Sequence, residues 1–146
     1  MADSRVGSFG VIALTLSLLA RFALLGALPP SKAAGTLIAA HVLCRWTSLP
    51  LAAYLPSARG NTGQSARLAM HLPRYAVPLG TTLAVAMVTG LMGRQALVPL
   101  LAAIAVTAVT AWYYRRRIGG ITGDCLGATN QLTEIAIYAC AVLVHW

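Results

Sequence analysis

The chain has 146 residues, 58% of them hydrophobic and 10% charged, and eleven Lys/Arg against three acids give a net charge of +8. Soluble domains carry about 25% charged residues, so a water-exposed globule of this composition would lack the polar side chains to cover itself, and lipid is the expected solvent. The bases are spaced between apolar runs instead of gathered on a polar face, which argues against nucleic-acid binding and for anionic headgroups.

In chain order, the N-terminal segment MADSRVGSFG has no basic n-region and no small-residue cleavage site, and the apolar run behind it is too long for a signal peptide. Five apolar stretches follow, each near the roughly 20 residues that span hydrocarbon. They lie at Phe9–Leu28, Ala33–Leu55, Ala76–Met92, Ala96–Tyr114 and Leu126–His145. Pro29-Pro30, Pro56, Pro73, Gly93 and Gly119-Gly120 fall between or at the ends of these stretches, where helix breakers belong. The longest connector, Ser57–Tyr75, is Gly/Ser/Asn-rich and then basic, and Ser65–Leu72 is expected to form a short interfacial helix. No soluble domain and no internal repeat is visible. The fold class is therefore an all-α integral membrane protein, a single polytopic domain of about five transmembrane helices over residues 1–146.

Five spans permit a test of orientation. The side carrying the N-terminus holds Arg5, Arg59, Arg67, Arg74 and Arg115–Arg117, whereas the other holds Lys32 and Arg94; Arg21 and Arg45 lie within spans. Lys/Arg-rich short loops stay cytoplasmic, so the N-terminus, Asp3 and Asp124 are expected in the cytoplasm and His145-Trp146 on the far side. The expected location is the inner (cytoplasmic) membrane, multi-pass, with its chemistry on the cytoplasmic face.

The densest polar cluster is RRRIGGITGDCLGATNQLTE, residues 115–134. Arg115–Arg117 read as a positive-inside anchor. Gly119, Gly120 and Gly123 with Asp124 make a glycine-rich turn that opens into an apolar helix. Such a turn lets backbone amides approach an anion, and the helix dipole favours it. The carboxylate could hold Mg²⁺ together with substrate phosphates, or Asp124 could simply be the N-cap. Further on, Asn130, Glu134 and Tyr138 recur every four residues and share a helix face, with Gln131 beside it. An intramembrane carboxylate is expensive and marks function by default. Arg21 and Arg45 are the intramembrane cations available to Glu134. Two readings stand: a structural Glu134–Arg45 pair, or a polar substrate cavity onto which His41 and Arg45, four residues apart, also face. Cys44 and Cys140 lie in apolar segments and read as small buried hydrophobes; with Cys125 they show neither metal-ligand spacing nor a disulfide framework.

Three segments in order, MADSRVGSFGVIAL, HVLCRWTSLPLAAYLPSARGNTG and GGITGDCLGATNQLTEIAIY, resemble the cobalamin synthase family (adenosylcobinamide-GDP ribazoletransferase). The resemblance covers essentially the whole chain, and its most specific part is the Gly-Gly-x-Thr-Gly-Asp-x-Leu-Gly-Ala run followed by a membrane Glu. It implies an enzyme that joins GDP-activated adenosylcobinamide to α-ribazole or its 5′-phosphate, releasing GMP, with Mg²⁺ as cofactor. On the matching positions it implies Asp124, Glu134 and Arg45 as catalytic residues, with Asp124 the metal ligand. Arg5, Arg59, Gly119, Gly120, Gly123 and Asn130 would contact substrate. The expected partners are those two substrates and the lipid bilayer, with no nucleic acid.

The sequence also departs from the family. Members are longer and carry an upstream Asp/Gly-rich acidic motif resembling the metal-binding carboxylates of CDP-alcohol phosphotransferases, whereas Asp3, Asp124 and Glu134 are all the acids here. The expectation is a truncated, split or mis-started frame covering the C-terminal part, inactive alone and completed by a missing N-terminal half; a homo-oligomer is also compatible. A lipid-directed CDP-alcohol phosphotransferase is disfavoured by the missing Asp-rich signature. A small membrane transporter or structural membrane subunit is the alternative from another class, since Glu134 and Arg45 would suit an ion path.

Overall fold

The computed structural model describes residues 7–58 and 72–144. Asp3, Arg5, Arg59, Arg67, Trp146 and all of the expected Ser65–Leu72 helix but its last residue lie outside them. The described residues form five long helices: α1 Ser8–Gly26, α2 Pro30–Tyr54, α3 Ala76–Met92, α4 Leu97–Arg117 and α5 Gly123–Leu143. A single 3₁₀ turn, Gly93–Ala96, joins α3 to α4. Three helix boundaries lie three residues from the sequence reading, each for a local reason, and the others match within two. α2 starts at Pro30, whose missing N–H costs nothing in a first turn. α4 runs on through Arg115–Arg117, whose charges suit the negative end of a helix. α5 begins three residues earlier than expected, so Asp124 sits inside its first turn.

Cross-helix hydrogen bonds give the helix directions. Ser17 Oγ donates to Gln131 Oε1 (3.1 Å) and Arg21 Nη1 to Glu134 Oε2 (2.8 Å), so α1 runs parallel to α5. Ser48 meets Asn130 while Cys44 meets Glu134, so α2 is antiparallel to α5. Tyr114 Oη bonds Cys125 O (3.0 Å) and lies 3.1 Å from Thr129 Oγ1, which makes α4 antiparallel as well. Trp46 Nε1 donates to Thr81 Oγ1 (2.9 Å) and ties α3 to α2. One end of the bundle thus gathers Ser8, Tyr54, Arg117 and Gly123. α5 is the central helix, packed against α1, α2 and α4.

The core is built from small residues and back-bonded threonines. Ala39, Ala40, Ala84, Ala103, Thr47, Thr129 and Thr133 are buried. Thr107, Thr129 and Thr133 each donate to the carbonyl four residues earlier, at 2.7, 3.0 and 2.8 Å. Small side chains let helices approach closely, and threonines that satisfy themselves locally can enter such contacts without an unpaired hydroxyl. The outside is the reverse. Phe9 is 89% and Phe22 80% exposed, and no residue of α1 is buried. Apolar surface on this scale needs a cover other than water. Among the described residues, two segments are long and apolar enough to cross a membrane: Ser8–Gly26, and Ala76–Arg117, which is α3, the turn and α4 together. The described residues are thus all-helical, with two candidate membrane spans.

The α4–α5 turn is fastened to the end of α2. Ile121 N donates to Pro56 O (2.8 Å) and Ala58 N to Ile121 O (2.9 Å), closing a parallel bridge between Ser57 and Ile121. Gly119, at φ 75°, takes the left-handed position just past α4. Gly120 passes so close that a Cβ would collide with the Pro56 carbonyl oxygen. Both glycines are required by backbone geometry before any ligand is considered. Gly120→Ala should therefore destabilise the protein by about 1–3 kcal/mol, read as a lower Tm in detergent. Gly127→Ala, on an open helix surface, should be neutral or stabilise by up to about 1 kcal/mol; equal Tm values for the two variants would refute this account of the turn.

Candidate functional site

Glu134 lies midway along α5 and is 8% exposed. Its two oxygens are divided between different partners. Oε2 accepts from Arg21 Nη1 at 2.8 Å. Oε1 faces His41 Nδ1 at 3.4 Å and Cys44 Sγ at 3.5 Å. The carboxylate therefore joins α1 and α2 to α5. Arg21 Nε is buried without a partner among the described residues, so this guanidinium holds donor capacity beyond its bond to Glu134. His41, by contrast, has 64% of its side chain exposed, which leaves the cluster open on that side. One turn away, Asn130 Oδ1 accepts from Ser48 Oγ (3.1 Å) and Thr47 Oγ1 (3.4 Å).

Arg45 does not pair with Glu134. It is exposed and lines a groove between α2 and α3, with Ile38, His41, Trp46, Leu49 and Gly80. The reason is helical phase. Cys44, Thr47 and Leu51 carry the face of α2 buried in the bundle, and a residue one step past Cys44 turns about 100° away from it. Arg21 reaches Glu134 instead because α1 brings it to the same level of α5. Of the two cations available to Glu134, Arg21 forms the pair and Arg45 does not, so the structural Glu134–Arg45 pair is not formed. Cys44, read as a plain buried hydrophobe, also needs correcting: it is buried, but its sulfur touches the Glu134 carboxylate. The sequence signal was His-x-x-Cys, which sets both residues one helical turn apart, but the reading paired His41 with Arg45.

Asp124 occupies a second site at the end of the bundle. It is exposed in the first turn of α5, where the dipole favours a negative charge. It is not the N-cap: Thr122 is, its Oγ1 accepting from Cys125 N at 3.3 Å. Arg115, Arg116 and Arg117 stand at the same end, and Arg116 packs over the Trp112 ring at 5.0 Å. Gly123 opens α5. Ten residues of helix separate Asp124 from Glu134, roughly 15 Å. The expected trio of Asp124, Glu134 and Arg45 is therefore dispersed: a polar end, a buried mid-helix cluster and an outer groove. Arg5 and Arg59 lie outside the described residues. Among the described residues, His41, Cys44 and Glu134 form a group whose metal-ligand atoms all lie within 4.8 Å of one another. Asp124 is not part of it.

The family model for cobalamin-5-phosphate synthase matches residues 1–142. The chain belongs to that family. It is 41% identical over 151 residues to an adenosylcobinamide-GDP ribazoletransferase of Pseudomonas aeruginosa, covering 99% of this chain and 56% of the relative. A protein of the same name from Azorhizobium caulinodans is 40% identical over 153 residues, covering 99% and 57%. One from Shewanella piezotolerans is 32% identical over 150 residues, again covering 99% and 57%. The chain thus spans little more than half the length of these family members. No solved structure matches it.

Removing the cation of a buried pair leaves an uncompensated charge, which costs about 3 kcal/mol or more. Arg21→Ala should lower unfolding stability in detergent by that order, whereas Arg45→Ala should stay within about 0.5 kcal/mol of wild type. Equal losses would return Arg45 to the pair.

Proposed function

We propose that the chain forms the membrane-embedded part of an adenosylcobinamide-GDP ribazoletransferase that works at the end of the bundle carrying Arg115–Arg117 and Asp124. The observation that carries this reading is the family match over residues 1–142. The geometry supports it by gathering cations, a glycine turn and a carboxylate at one end of the helices. In the reaction a ribazole hydroxyl oxygen forms a bond to the phosphorus bearing the cobinamide side chain. The bond from that phosphorus to the bridging oxygen breaks, and GMP leaves with the electron pair. The hydroxyl proton passes to a base.

Such a transfer asks for cations where charge develops. Arg115–Arg117 flank the turn, and Arg59 is next in sequence to Ala58, whose N–H is bonded to Ile121. Arg5, Arg59, Gly119, Gly120 and Gly123 are accordingly assigned to the diphosphate and its surroundings, and Asp124 to orienting the nucleophile. Asn130 and Glu134 lie too deep for the phosphorus and position the helices; Arg45 serves the corrinoid side chain from its groove. Asp124 is the residue that would hold Mg²⁺, which would supply neutralisation of charge on the phosphates. Asp124 suits it as an exposed hard-oxygen ligand, but the described residues offer no second carboxylate within reach, so they do not by themselves make a Mg²⁺ site. We further assign five spans with the Asp124 end in the cytoplasmic face of the inner membrane. The alternating helix directions and the clustering of Arg74 and Arg115–Arg117 beside that end support this orientation.

The test uses membranes from a host lacking its own ribazoletransferase. The chain is supplied alone and together with the N-terminal portion of the Pseudomonas aeruginosa relative, and given adenosylcobinamide-GDP, α-ribazole and Mg²⁺. Equal yields of GMP and adenosylcobalamin are expected in at least one arm, and Asp124→Asn should slow turnover by about 100-fold or more. Absence of both products from both arms would sink the reading. Turnover unchanged by Asp124→Asn would remove Asp124 from the site.

A further inference from the structure

The cluster around Glu134 has a feature that helix packing does not require: three different metal-ligating groups converge on one point. We propose that His41, Cys44 and Glu134 form a three-ligand site for a borderline-soft divalent cation, with Zn²⁺ the best match. The site is separate from any Mg²⁺ chemistry at Asp124 and independent of the transferase reading.

Distances are the first argument. The 3.4 Å from His41 Nδ1 to Glu134 Oε1 is long for a hydrogen bond from a nitrogen donor, and Cys44 Sγ stands 3.5 Å from the same oxygen, an ordinary distance for a thiol donor. Both distances are close to what tetrahedral Zn²⁺ imposes. With bond lengths of about 2.0–2.1 Å to nitrogen and oxygen and about 2.3 Å to sulfur, ligand atoms stand roughly 3.4 Å (N to O) and roughly 3.5 Å (S to O) apart. All three ligand atoms lie within 4.8 Å of one another, so little movement is needed to enclose an ion.

The surroundings are the second argument. Arg21 holds Glu134 Oε2 and leaves Oε1 aimed at the imidazole and thiol. A ligating carboxylate fixed through its other oxygen is the outer-shell arrangement that orients metal ligands. His41 and Cys44 are three residues apart on one helix, so their spacing is set by α2 and not by a loop. The ligand set decides the ion. Thiolate and imidazole suit Zn²⁺, whereas Mg²⁺ takes oxygen ligands in octahedral geometry and binds such a set poorly. On binding, the thiol proton is released and a Zn–S bond replaces the S–H bond. The exposed flank of His41 leaves a fourth position for water or a small ligand, the pattern of a reactive rather than a closed site.

The experiment uses the full chain purified without a polyhistidine tag in detergent, stripped with a chelator and equilibrated with Zn²⁺ under excess Mg²⁺. After gel filtration, elemental analysis should find about one Zn²⁺ per chain. Cys44→Ser and His41→Gln should each weaken binding at least about tenfold, while Cys125→Ser, Cys140→Ser, His71→Gln and His145→Gln should bind as wild type. His41 is exposed, so His41→Gln tests the ligand without disturbing packing. Loading with Co²⁺ adds a spectroscopic readout: a thiolate-to-cobalt charge-transfer band that Cys44→Ser abolishes and Cys140→Ser leaves intact. Zn²⁺ recovered at less than about a tenth of an equivalent, or bound equally well by Cys44→Ser and His41→Gln, would overturn the site. Because metal content is read without turnover, failure here and failure of the transferase reading are told apart.

Discussion

A carboxylate in the middle of an apolar helix bundle must be neutralised, and much of this structure follows from how Glu134 meets that demand. Desolvating a charge costs several kcal/mol even after relaxation, so the helix carrying it is held beside whichever helices supply a cation and hydrogen-bond donors. Arg21 comes from α1, and His41 and Cys44 come from α2. α1 needs this anchor most. None of its residues is buried, and most of its large apolar side chains face outward, only Leu24 and Leu25 packing partly on the core, so its polar contacts at Ser17 and Arg21 set its register against α5. In lipid, apolar packing alone specifies register poorly because tails and leucines are equally apolar. Polar contacts do it instead.

The same logic recurs at other interfaces of the bundle. Trp46 to Thr81, Tyr114 to Thr129 and Ser48 to Asn130 each place one hydrogen-bonded contact between a pair of helices, while alanines and back-bonded threonines fill the space around them. A bundle built this way has closely approached backbones and few polar groups, but each polar group is placed. That explains why a sequence with so few charges still defines one helix arrangement.

Much of the fold was legible in the sequence because the signals were local. Apolar run lengths and Pro/Gly punctuation located five helices, with boundaries displaced by no more than a turn. The displacements at Pro30, Arg115–Arg117 and Gly123 came from first- and last-turn chemistry that hydropathy does not see. The spacing Asn130, Glu134, Tyr138 correctly put three residues on one face. The partner of that face was not legible, because it depends on the phase of α2 and the direction of α1. Arg21 and Arg45 are equivalent cations in sequence, and only a rotation of about 100° per residue separates a residue facing Glu134 from one facing the groove. Gly119 and Gly120 were legible as a turn, but not as a turn tied by two backbone hydrogen bonds to Pro56 and Ala58.

The dispersal of the residues first grouped together changes what α5 does. A compact site would have put Asp124 and Glu134 around one substrate, but a rigid helix holds them roughly 15 Å apart. Asp124 shares its end of the bundle with three consecutive arginines and with the segment leading to Arg59. Glu134 sits among helices, where its charge is already matched by Arg21 and its free oxygen is presented to a thiol and an imidazole. The two carboxylates therefore answer different problems: one stands among cations at the end of the bundle, and the other organises the interior that keeps that end in place. Because the α4–α5 turn is clamped to α2 at one end and Glu134 clamps α5 to α1 and α2 at its middle, α5 is fixed at two points along its axis. The orientation of Asp124 is thus a consequence of the whole bundle and not of its own loop.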